Sequence, residues 1–395
     1  MSTLWTYRPD WSRAVSDIWE YRTDIQTSQS GIEYRRATRT RPLRRMRFSA
    51  APWDRDQQLA DGELWENEVD DWIMPLWWDA VGGATYDGSN DRITADGLTF
   101  AWRYFFSGVT IAIYHPESRE WETAEVQSFG LSDGDGFLQL VDSLETPLTS
   151  RSVIYPTHPV ALSPDITRVT QTAARGQMEI EAEFIDFEPP PTPPIDLPEY
   201  RDLKILTDRP TRDETIEAVY SHSVSTVDYD VGRITYYDDT TSPTMGSSQT
   251  HRFFSAQEIA QHQQFFDELQ GRRGELWVPT DHADLTVIEP EIDSINVDAI
   301  HWNDRYEDTV ARSFILLRTR DDVYPYEVTG SIDGPEISTF FLDDFDPDPP
   351  PTEIGDIIQA QWLERSRLDT DQIEWRYYTP GRADVTIPRR TLRND

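Results

Sequence analysis

Arginine is the residue type with the clearest chemistry in this sequence, because seven arginines fall between positions 35 and 47 of a strongly acidic chain. A planar guanidinium forms two parallel hydrogen bonds to one carboxylate. These side chains therefore suit either carboxylates on an adjacent subunit or this chain's own surplus acids, and the sequence leaves both readings open. The seven are Arg35, Arg36, Arg39, Arg41, Arg44, Arg45 and Arg47.

The other reactive groups do not form the pattern of a reaction centre. The 7 histidines show no paired spacing on a helix or strand, so no metal site is expected. Asp133-Gly134-Asp135-Gly136 lacks the further ligands of a calcium loop and predicts a β-turn. The chain has no phosphate-binding loop, dinucleotide glycine pattern or nucleophile elbow. With 0 cysteines, disulfides and thiolate chemistry are excluded. We therefore predict no enzyme, no cofactor and no metal.

The charge of the chain limits its partners. The formal net charge is −36, from 72 acidic and 36 basic residues, and Lys204 is the only lysine. Such a surface repels nucleic acid and anionic lipid, and the arginine cluster lacks the interleaved aromatics of a nucleic-acid site. No window reaches the ~18 apolar residues of a membrane span, and residues 1–21 lack a signal-peptide core. We expect neither nucleic-acid binding nor membrane insertion.

A block of sequence recurs and predicts a tandem duplication. Phe48-Ser49-Ala50 reappears as Phe254-Ser255-Ala256, an offset of 206 (254 − 48), and Pro75 reappears as Pro279, an offset of 204 (279 − 75). Repeated offsets of this kind indicate repeated structural units. Each block predicts a strand, a helix, a turn and an aromatic strand. Ser49 and Ser255 stand where helix N-caps are expected, and Ser255 forms a capping box with Glu258.

The residues predicted to pack the core of each repeat are large and apolar. In the second copy they recur at helical spacing, and in the first copy the helical face is weaker. The predicted repeat core is Phe48, Trp53, Trp72, Pro75, Trp77, Phe254, Ile259, Phe266, Leu269, Trp277 and Pro279.

Short β-friendly runs separated by turn residues predict a mainly β fold with a few helices. We expect a tandem duplication of a β-sandwich-plus-helix unit, each half with an additional small antiparallel β-barrel or sandwich. The predicted organisation is an aromatic N-terminal arm (1–24), a first β-helix-β unit that opens with a hairpin at Gly31 (25–99), a first small β-domain and closing strand (100–187), a proline-rich linker (188–200), a second β-helix-β unit (201–289), and a second small β-domain and closing strand (290–395).

Two motifs resemble those of known proteins. Thr23-Asp24, followed by Ser30-Gly31-Ile32-Glu33 and Arg35-Arg36, resembles a pattern in tail proteins of long-tailed bacteriophages and gene-transfer-agent particles. Arg272-Arg273-Gly274, followed by Leu276-Trp277-Val278-Pro279, is similar to a second motif of the same proteins. Together the matches cover roughly a third of the chain. The first copy departs from the second motif, with Asn67-Glu68-Val69-Asp70-Asp71 where the turn would lie.

The resemblance implies a structural component of a tail tip or baseplate, similar to distal tail proteins that form a ring below the tail tube. Its location would be the virion, assembled in the host cytoplasm. The implied partners are other copies of the chain, as a hexamer or a trimer with pseudo-sixfold symmetry, and the tube, hub and fibre proteins. The seven arginines, with Trp5, Trp11 and Trp19, are then expected at the subunit interface. For the tryptophans, docking of the N-terminal arm on its own domain is the alternative that the sequence leaves open. The alternative is a host-surface carbohydrate-binding module of the virion, with aromatics such as Trp77-Trp78 stacking on sugars.

Overall fold

The computed structural model confirms a mainly β protein with a few helices. Its strands form large antiparallel sheets. The described residues are 3–28, 31–52, 54–67, 72–95, 104–132, 135–172, 175–189, 197–211, 217–222, 224–228, 230, 232, 234–238, 243–291, 293–298, 300–306, 312–343 and 354–392.

The elements fall into two series along the chain. The first series is β1 (Thr3–Leu4), β2 (Val15–Thr27), β3 (Glu33–Ala50), α1 (Asp54–Glu66), β4 (Trp72–Pro75), β5 (Val81–Gly82), β6 (Thr85–Asp87), β7 (Arg92–Ala95), β8 (Thr110–His115), β9 (Glu120–Ser132), β10 (Asp135–Leu140), β11 (Val153–Leu162), β12 (Thr167–Thr172) and β13 (Arg175–Phe184). The second is β14 (Glu199–Tyr200), β15 (Leu203–Lys204), β16 (Glu217–Ser221), β17 (Val224–Asp228), β18 (Ile234–Asp238), β19 (Thr244–Phe253), α2 (Ala256–Leu269), β20 (Leu276–Pro279), β21 (Val287–Pro290), β22 (Ser294–Asp298), α3 (Trp302–Arg305), β23 (Phe314–Arg318), β24 (Val323–Asp333), β25 (Ile337–Leu342), β26 (Gln359–Leu368), β27 (Gln372–Thr379) and β28 (Arg382–Thr391). Single 3-10 turns lie at Trp77–Asp79, Gly271–Arg273 and Ile354–Asp356.

One continuous sheet connects the two halves. In the first half the order of paired strands is β4, β11, β13, β3 and β2. In the second half it is β20, β26, β28, β19 and β16. The halves are joined where β2 pairs antiparallel with β27, which itself pairs with β28. Strand β2 therefore lies inside the sheet, between β3 and β27.

Most pairings of the first half recur in the second. Strand β12 pairs with β13 as β27 pairs with β28. In the small β-domains, Ile93 of β7 pairs with Leu138 of β10, and Ile295 of β22 pairs with Phe340 of β25. All four of these side chains are buried. The two halves thus share one order of strands, while the duplication of the chain stays a prediction.

Each small β-domain has a core of its own. Strands β5 to β10 enclose one apolar cluster together with the first part of β11. Strands β21 to β25 enclose a second with the first part of β26. The large aromatic cluster lies elsewhere, on the sheet that carries α1 and α2. Within this cluster Trp19 of the first half packs against Trp375 of the second.

Helix α2 begins and ends as local chemistry dictates. The Ser255 hydroxyl accepts a hydrogen bond from the Glu258 backbone N–H at 3.2 Å, and the Glu258 carboxylate accepts one from the Phe254 N–H at 3.0 Å. This is the predicted capping box, except that the Glu258 carboxylate accepts from the amide one residue before the N-cap. At the other end Gln270 takes a left-handed conformation with φ of 52°, and Gly271 follows with φ of 69°.

The predicted match between Phe48-Ser49-Ala50 and Phe254-Ser255-Ala256 is wrong in register. Phe48 and Ser49 lie inside β3, so Ser49 does not cap α1, which begins at Asp54. Phe254 follows the end of β19 and is 64% exposed, so it does not belong to the core. The Pro75 and Pro279 match is sound, because each proline ends a corresponding strand. A three-residue match cannot distinguish the end of a strand from the start of a helix.

The remaining predicted core residues that the structure describes are all buried. Trp53 lies outside the described residues, as do Asp133 and Gly134 of the predicted turn and positions 190–196 of the predicted linker. The buried members are Phe48, Trp72, Pro75, Trp77, Ile259, Phe266, Leu269, Trp277 and Pro279.

The N-terminal segment is not the arm that its sequence predicted. Strand β1 pairs in parallel with β4, and β2 crosses the predicted boundary at residue 24 into the centre of the sheet. The second predicted closing strand, 372–377, is also displaced. It forms β27 beside β2, while β28 takes the place that β13 holds in the first half.

Candidate subunit-contact surface

The predicted interface arginines lie on β3, where most of them pair with acids of the same chain. Arg45 bonds Glu20 at 2.6 Å, and Arg47 bonds Glu181 at 3.0 Å. Arg36 is exposed and forms no ion pair within the described part of the chain. The structure therefore favours the second of the two readings, in which this chain's own acids take up the arginines. The other pairs join Arg35 with Glu275, Arg39 with Glu20, and Arg41 with Glu188.

Arg44 contradicts the interface prediction most strongly, because it is fully buried. Its Nε and Nη2 donate to the two carboxylate oxygens of Asp17 at 2.7 and 2.9 Å, and both side chains are 0% exposed. Burial opposes the charge, but the Asp17 carboxylate outweighs it and raises the pKa of Arg44 above its ordinary value. The guanidinium lies within 6 Å of five aromatic rings, the nearest being Phe184 and Phe187 at 4.6 Å.

The predicted interface tryptophans also serve this chain's own core. Trp5 and Trp19 are 0% and 1% exposed, and Trp11 is partly buried against the same cluster. Trp5 packs edge-on against Trp72 at 5.5 Å, and Trp19 against Trp375 at 5.3 Å. The prediction that Trp5 and Trp19 reach a neighbouring subunit is therefore wrong for this chain. Trp5 and Trp19 pack the N-terminal segment against the sheet.

The contact between the halves is dense and buried. Asp17 of β2 accepts a hydrogen bond from Gln263 of α2 at 3.1 Å. Tyr21 of β2 donates to Asp267 in the last turn of α2 at 2.7 Å. Burial raises the pKa of Tyr21, which therefore stays a neutral donor. Asp17 and Tyr21 of β2 thus both face the helix of the second half.

Asp371 accepts several hydrogen bonds at the other end of the contact between the halves. Its carboxylate accepts from the Thr23 backbone N–H at 2.9 Å, the Thr23 hydroxyl at 2.7 Å and the Arg272 backbone N–H at 2.9 Å. Burial alone would raise the pKa of Asp371, but these donors hold it below its ordinary value. A bidentate pair between Glu33 and Arg367 lies close by, at 2.7 and 2.8 Å. Charged bonds of this kind fix the two halves in one register.

Among the described strands of the continuous sheet, β12 and β16 each keep an open edge. Strand β12 pairs only with β13, and β16 pairs only with β19. Every residue of β16 is exposed, including Val219 at 54% and Tyr220 at 60%. On β12, Val169 is 51% exposed. Sequence reasoning missed both edges, because a β-friendly run looks the same at an edge and inside a sheet.

Apolar side chains beside β12 are also exposed. Helix α1 packs on β13 and carries Leu59 at 50% and Trp65 at 90% exposure. Trp65 is in the last turn of α1, as Asp267 is in the last turn of α2. The side of α2 that corresponds is covered by Tyr21 of β2. The side of α1 that carries Trp65 is therefore exposed in the first half, whereas the corresponding side of α2 is covered in the second.

A buried polar cluster, which the sequence did not predict, lies between β19 and α2. His262 bonds Asp208 at 2.6 Å, and this hydrogen bond lowers the pKa of Asp208. His251 is 1% exposed, and neither of its ring nitrogens has a hydrogen-bond partner in the described residues. Burial lowers the pKa of His251 to about 4, and the neighbouring His262 adds to the effect. His251 is therefore neutral at pH 7.

This cluster predicts acid sensitivity. The pKa of His251 is lower in the folded chain than in the unfolded one, so the unfolded state binds the extra proton. The stability that buried, neutral His251 contributes is fully present above pH ~6.5. It falls as the pH drops toward 4, by about 3 kcal/mol for this pKa shift. Replacing His251→Leu should remove that part of the pH dependence. Urea unfolding at several pH values between 7 and 4 measures it.

The matched control is His282→Leu, because His282 is exposed. We expect this variant to keep the wild-type loss of stability on acidification. Protonation of Asp208, whose pKa is lowered, acts in the same direction as that of His251. Asp281 acts oppositely, because burial raises its pKa. An unchanged pH slope in His251→Leu would contradict the assignment.

The described residues contain no group of three or more His, Cys, Asp or Glu side chains placed to hold a metal ion. Helix α2, with 14 residues, is the longest described, and no described helix has the length and apolar character of a membrane span. The main features of the candidate surface are therefore the contact between the two halves and the open edges of β12 and β16.

Comparison with known proteins assigns no family to this arrangement. No protein-family model matches the chain, and no curated protein matches it either.

Proposed function

We propose that the protein is a structural subunit of a viral tail tip or baseplate, a ring or adaptor that joins the tail tube to the host-contacting tip. The observation that carries the proposal is the contact of β2 with β27, which joins two halves of the same strand order. This contact uses two different edges, one from each half. Repeated heterologous contacts of that kind close into rings when the rotation permits.

The two motifs that resemble tail proteins also support the proposal. Glu33 and Arg35 of the first motif lie at the contact between the halves, where they bond Arg367 and Glu275. Arg272 of the second motif donates to the Thr23 carbonyl oxygen at 3.1 Å, across the same contact. The motif residues thus hold the two halves together, which is a structural role. A hexamer, or a trimer with pseudo-sixfold symmetry, is the expected assembly.

Labelling intact particles tests the proposal. Antibodies against this chain should bind the distal end of the tail in electron micrographs of particles from the source cells. Antibodies against a capsid protein are the matched control and should label the head. Label on the head, or a chain absent from purified particles, would remove the tail-tip function. The mass of the purified assembly then separates six copies from three.

The alternative of a host-surface carbohydrate-binding module loses its main support. Trp77 and Trp78, which were expected to stack on sugars, are each 1% exposed. Trp78 instead stacks on Tyr377 of β27 at 5.0 Å. A sugar needs an open aromatic face, so this pair belongs to the core.

A further inference from the structure

The open edges β12 and β16 correspond to the two strands that already pair inside the chain. Strand β2 lies beside β3 as β16 lies beside β19, and β27 lies beside β28 as β12 lies beside β13. Within the chain, β2 of the first half meets β27 of the second. The same contact can therefore be made once more, by β16 of one copy and β12 of the next.

We propose that β16 of one copy of this chain pairs antiparallel with β12 of the next copy, with Val219 opposite Thr167. The occupant of each open edge is a second copy of the chain. This contact rests on the proposed role as a ring-forming subunit, and it identifies the surface that closes the ring. Each copy would then contribute one internal and one external junction of the same kind.

The register follows from counting across the paired strands. Pro75 and Pro279 end corresponding strands. The residues that pair with them on the next strand therefore also correspond, and the same reasoning applies to each further strand of the sheet. The pairs reached on successive strands are Pro75 and Pro279, Val160 and Ser366, Ile180 and Ile387, Phe48 and Gln249, and finally Ile18 and Val219. Val219 thus takes the place of Ile18.

The other side of the register follows in the same way. Met178 and Val385 occupy corresponding positions, and they pair with Arg168 and Trp375. Thr167 therefore takes the place of Glu374. Inside the chain Ile18 lies opposite Glu374. Between copies, Val219 lies opposite Thr167.

The side chains at these edges suit burial against another copy. Tyr220 takes the place of Trp19, which is 1% exposed against Trp375, yet Tyr220 is 60% exposed. It would face α1 of the next copy, where Leu59 and Trp65 are uncovered. Natural edge strands are usually blunted by lysine or proline, and β16, Glu217–Ser221, contains neither.

The residues that face each other at the two edges carry no like charges. In the proposed register Ala218 lies opposite Arg168, and Glu217 lies opposite Val169 on the other face of the sheet. Like charges directly opposite each other would oppose the pairing, and none occur at these positions.

Cysteine cross-linking tests the register directly, because the natural chain has 0 cysteines. Two single variants, V219C and T167C, carrying tags of different mass, are mixed and oxidised. We expect a covalent dimer that contains one chain of each kind. The pair Y220C and I166C tests the adjacent position, where the side chains point to the other face. The mixture of V219C with V169C is the control, two residues out of register, and should give little product.

A charge at the edge tests the assembly without cross-linking. V219K should weaken association at least tenfold, because a lysine there must lose its hydration when the edges pair. V224K is the matched control, since Val224 is 48% exposed on the neighbouring strand β17 and outside the proposed contact. Mass measurement by light scattering reports the oligomer, and circular dichroism reports whether each variant is folded.

The outcomes separate this contact from the function. A folded V219K that assembles like the wild type, product of equal yield from the out-of-register control, or a wild-type chain that stays monomeric at every concentration reached would each overturn the contact. If antibodies label the tail tip and V219K still joins the particle, the contact fails and the function stands. If V219K abolishes assembly and the label lies elsewhere, the contact stands and the function fails.

Discussion

Replacing Arg44 with methionine is expected to lower the free energy of unfolding by about 3–5 kcal/mol, because it leaves the Asp17 carboxylate buried without its partner. Asp17 is 0% exposed, and its remaining donors are the Trp19 indole and the Gln263 amide, both at 3.1 Å. Two neutral donors do not replace a bidentate guanidinium. Urea unfolding of wild type and variant at pH 7 measures the loss.

A double variant shows whether the pair or the individual residue matters. Arg44→Met combined with Asp17→Leu removes both charges, so its loss should be smaller than that of Arg44→Met alone. Arg36→Met is the control, because Arg36 is exposed on the same strand, and it should change stability by about 0.5 kcal/mol or less. An Arg44→Met variant as stable as Arg36→Met would contradict the buried-pair account.

Arg44 also shows what the sequence could not supply. Seven arginines in 13 positions suggested an exposed cluster, since arginine is rarely buried without a partner. The alternation of β3 puts Arg44 on the buried face and Arg45 on the partly exposed one. The partner, Asp17, becomes available only when the hairpin pairs Arg44 with Trp19. The register of that hairpin, which has irregular pairing between Glu20 and Thr23, cannot be predicted from the local sequence.

Features set by short-range chemistry were predictable. The Ser255 and Glu258 cap and the Gly31 hairpin appear as expected, with Gly31 at φ of 86°. Features set by long-range pairing were not. The N-terminal segment reads as an extended arm or edge strand, because Pro9 breaks any long helix and the aromatics lie among polar residues. Yet β2 lies between β3 and a strand more than 350 residues away (372 − 20). The open edges became visible only by comparing the two halves of the sheet.

Substituting Gly271→Ala is expected to cost about 3 kcal/mol or more, because two effects act at one position. Gly271 has φ of +69°, which an L-residue adopts only with strain. A Cβ atom there would lie 2.5 Å from the Asp371 carboxylate and 2.9 Å from the Tyr21 Cβ. Asp371 would have to move away from Arg272 and from Thr23, and its bonds with Thr23 join the two halves. Urea unfolding measures the cost.

Two other glycines separate the two effects. Gly381→Ala meets only the strain, since its φ is +72° and the nearest atom is 3.7 Å away, so about 1 kcal/mol is expected. Gly62→Ala has open space in the middle of α1 and should stabilise the chain by up to about 1 kcal/mol. Amide exchange in β2 and β27 should quicken in Gly271→Ala alone, because only that change disturbs the bonds between the halves. Equal losses in Gly271→Ala and Gly381→Ala, with unchanged exchange in β2, would mean that Asp371 does not hold the contact.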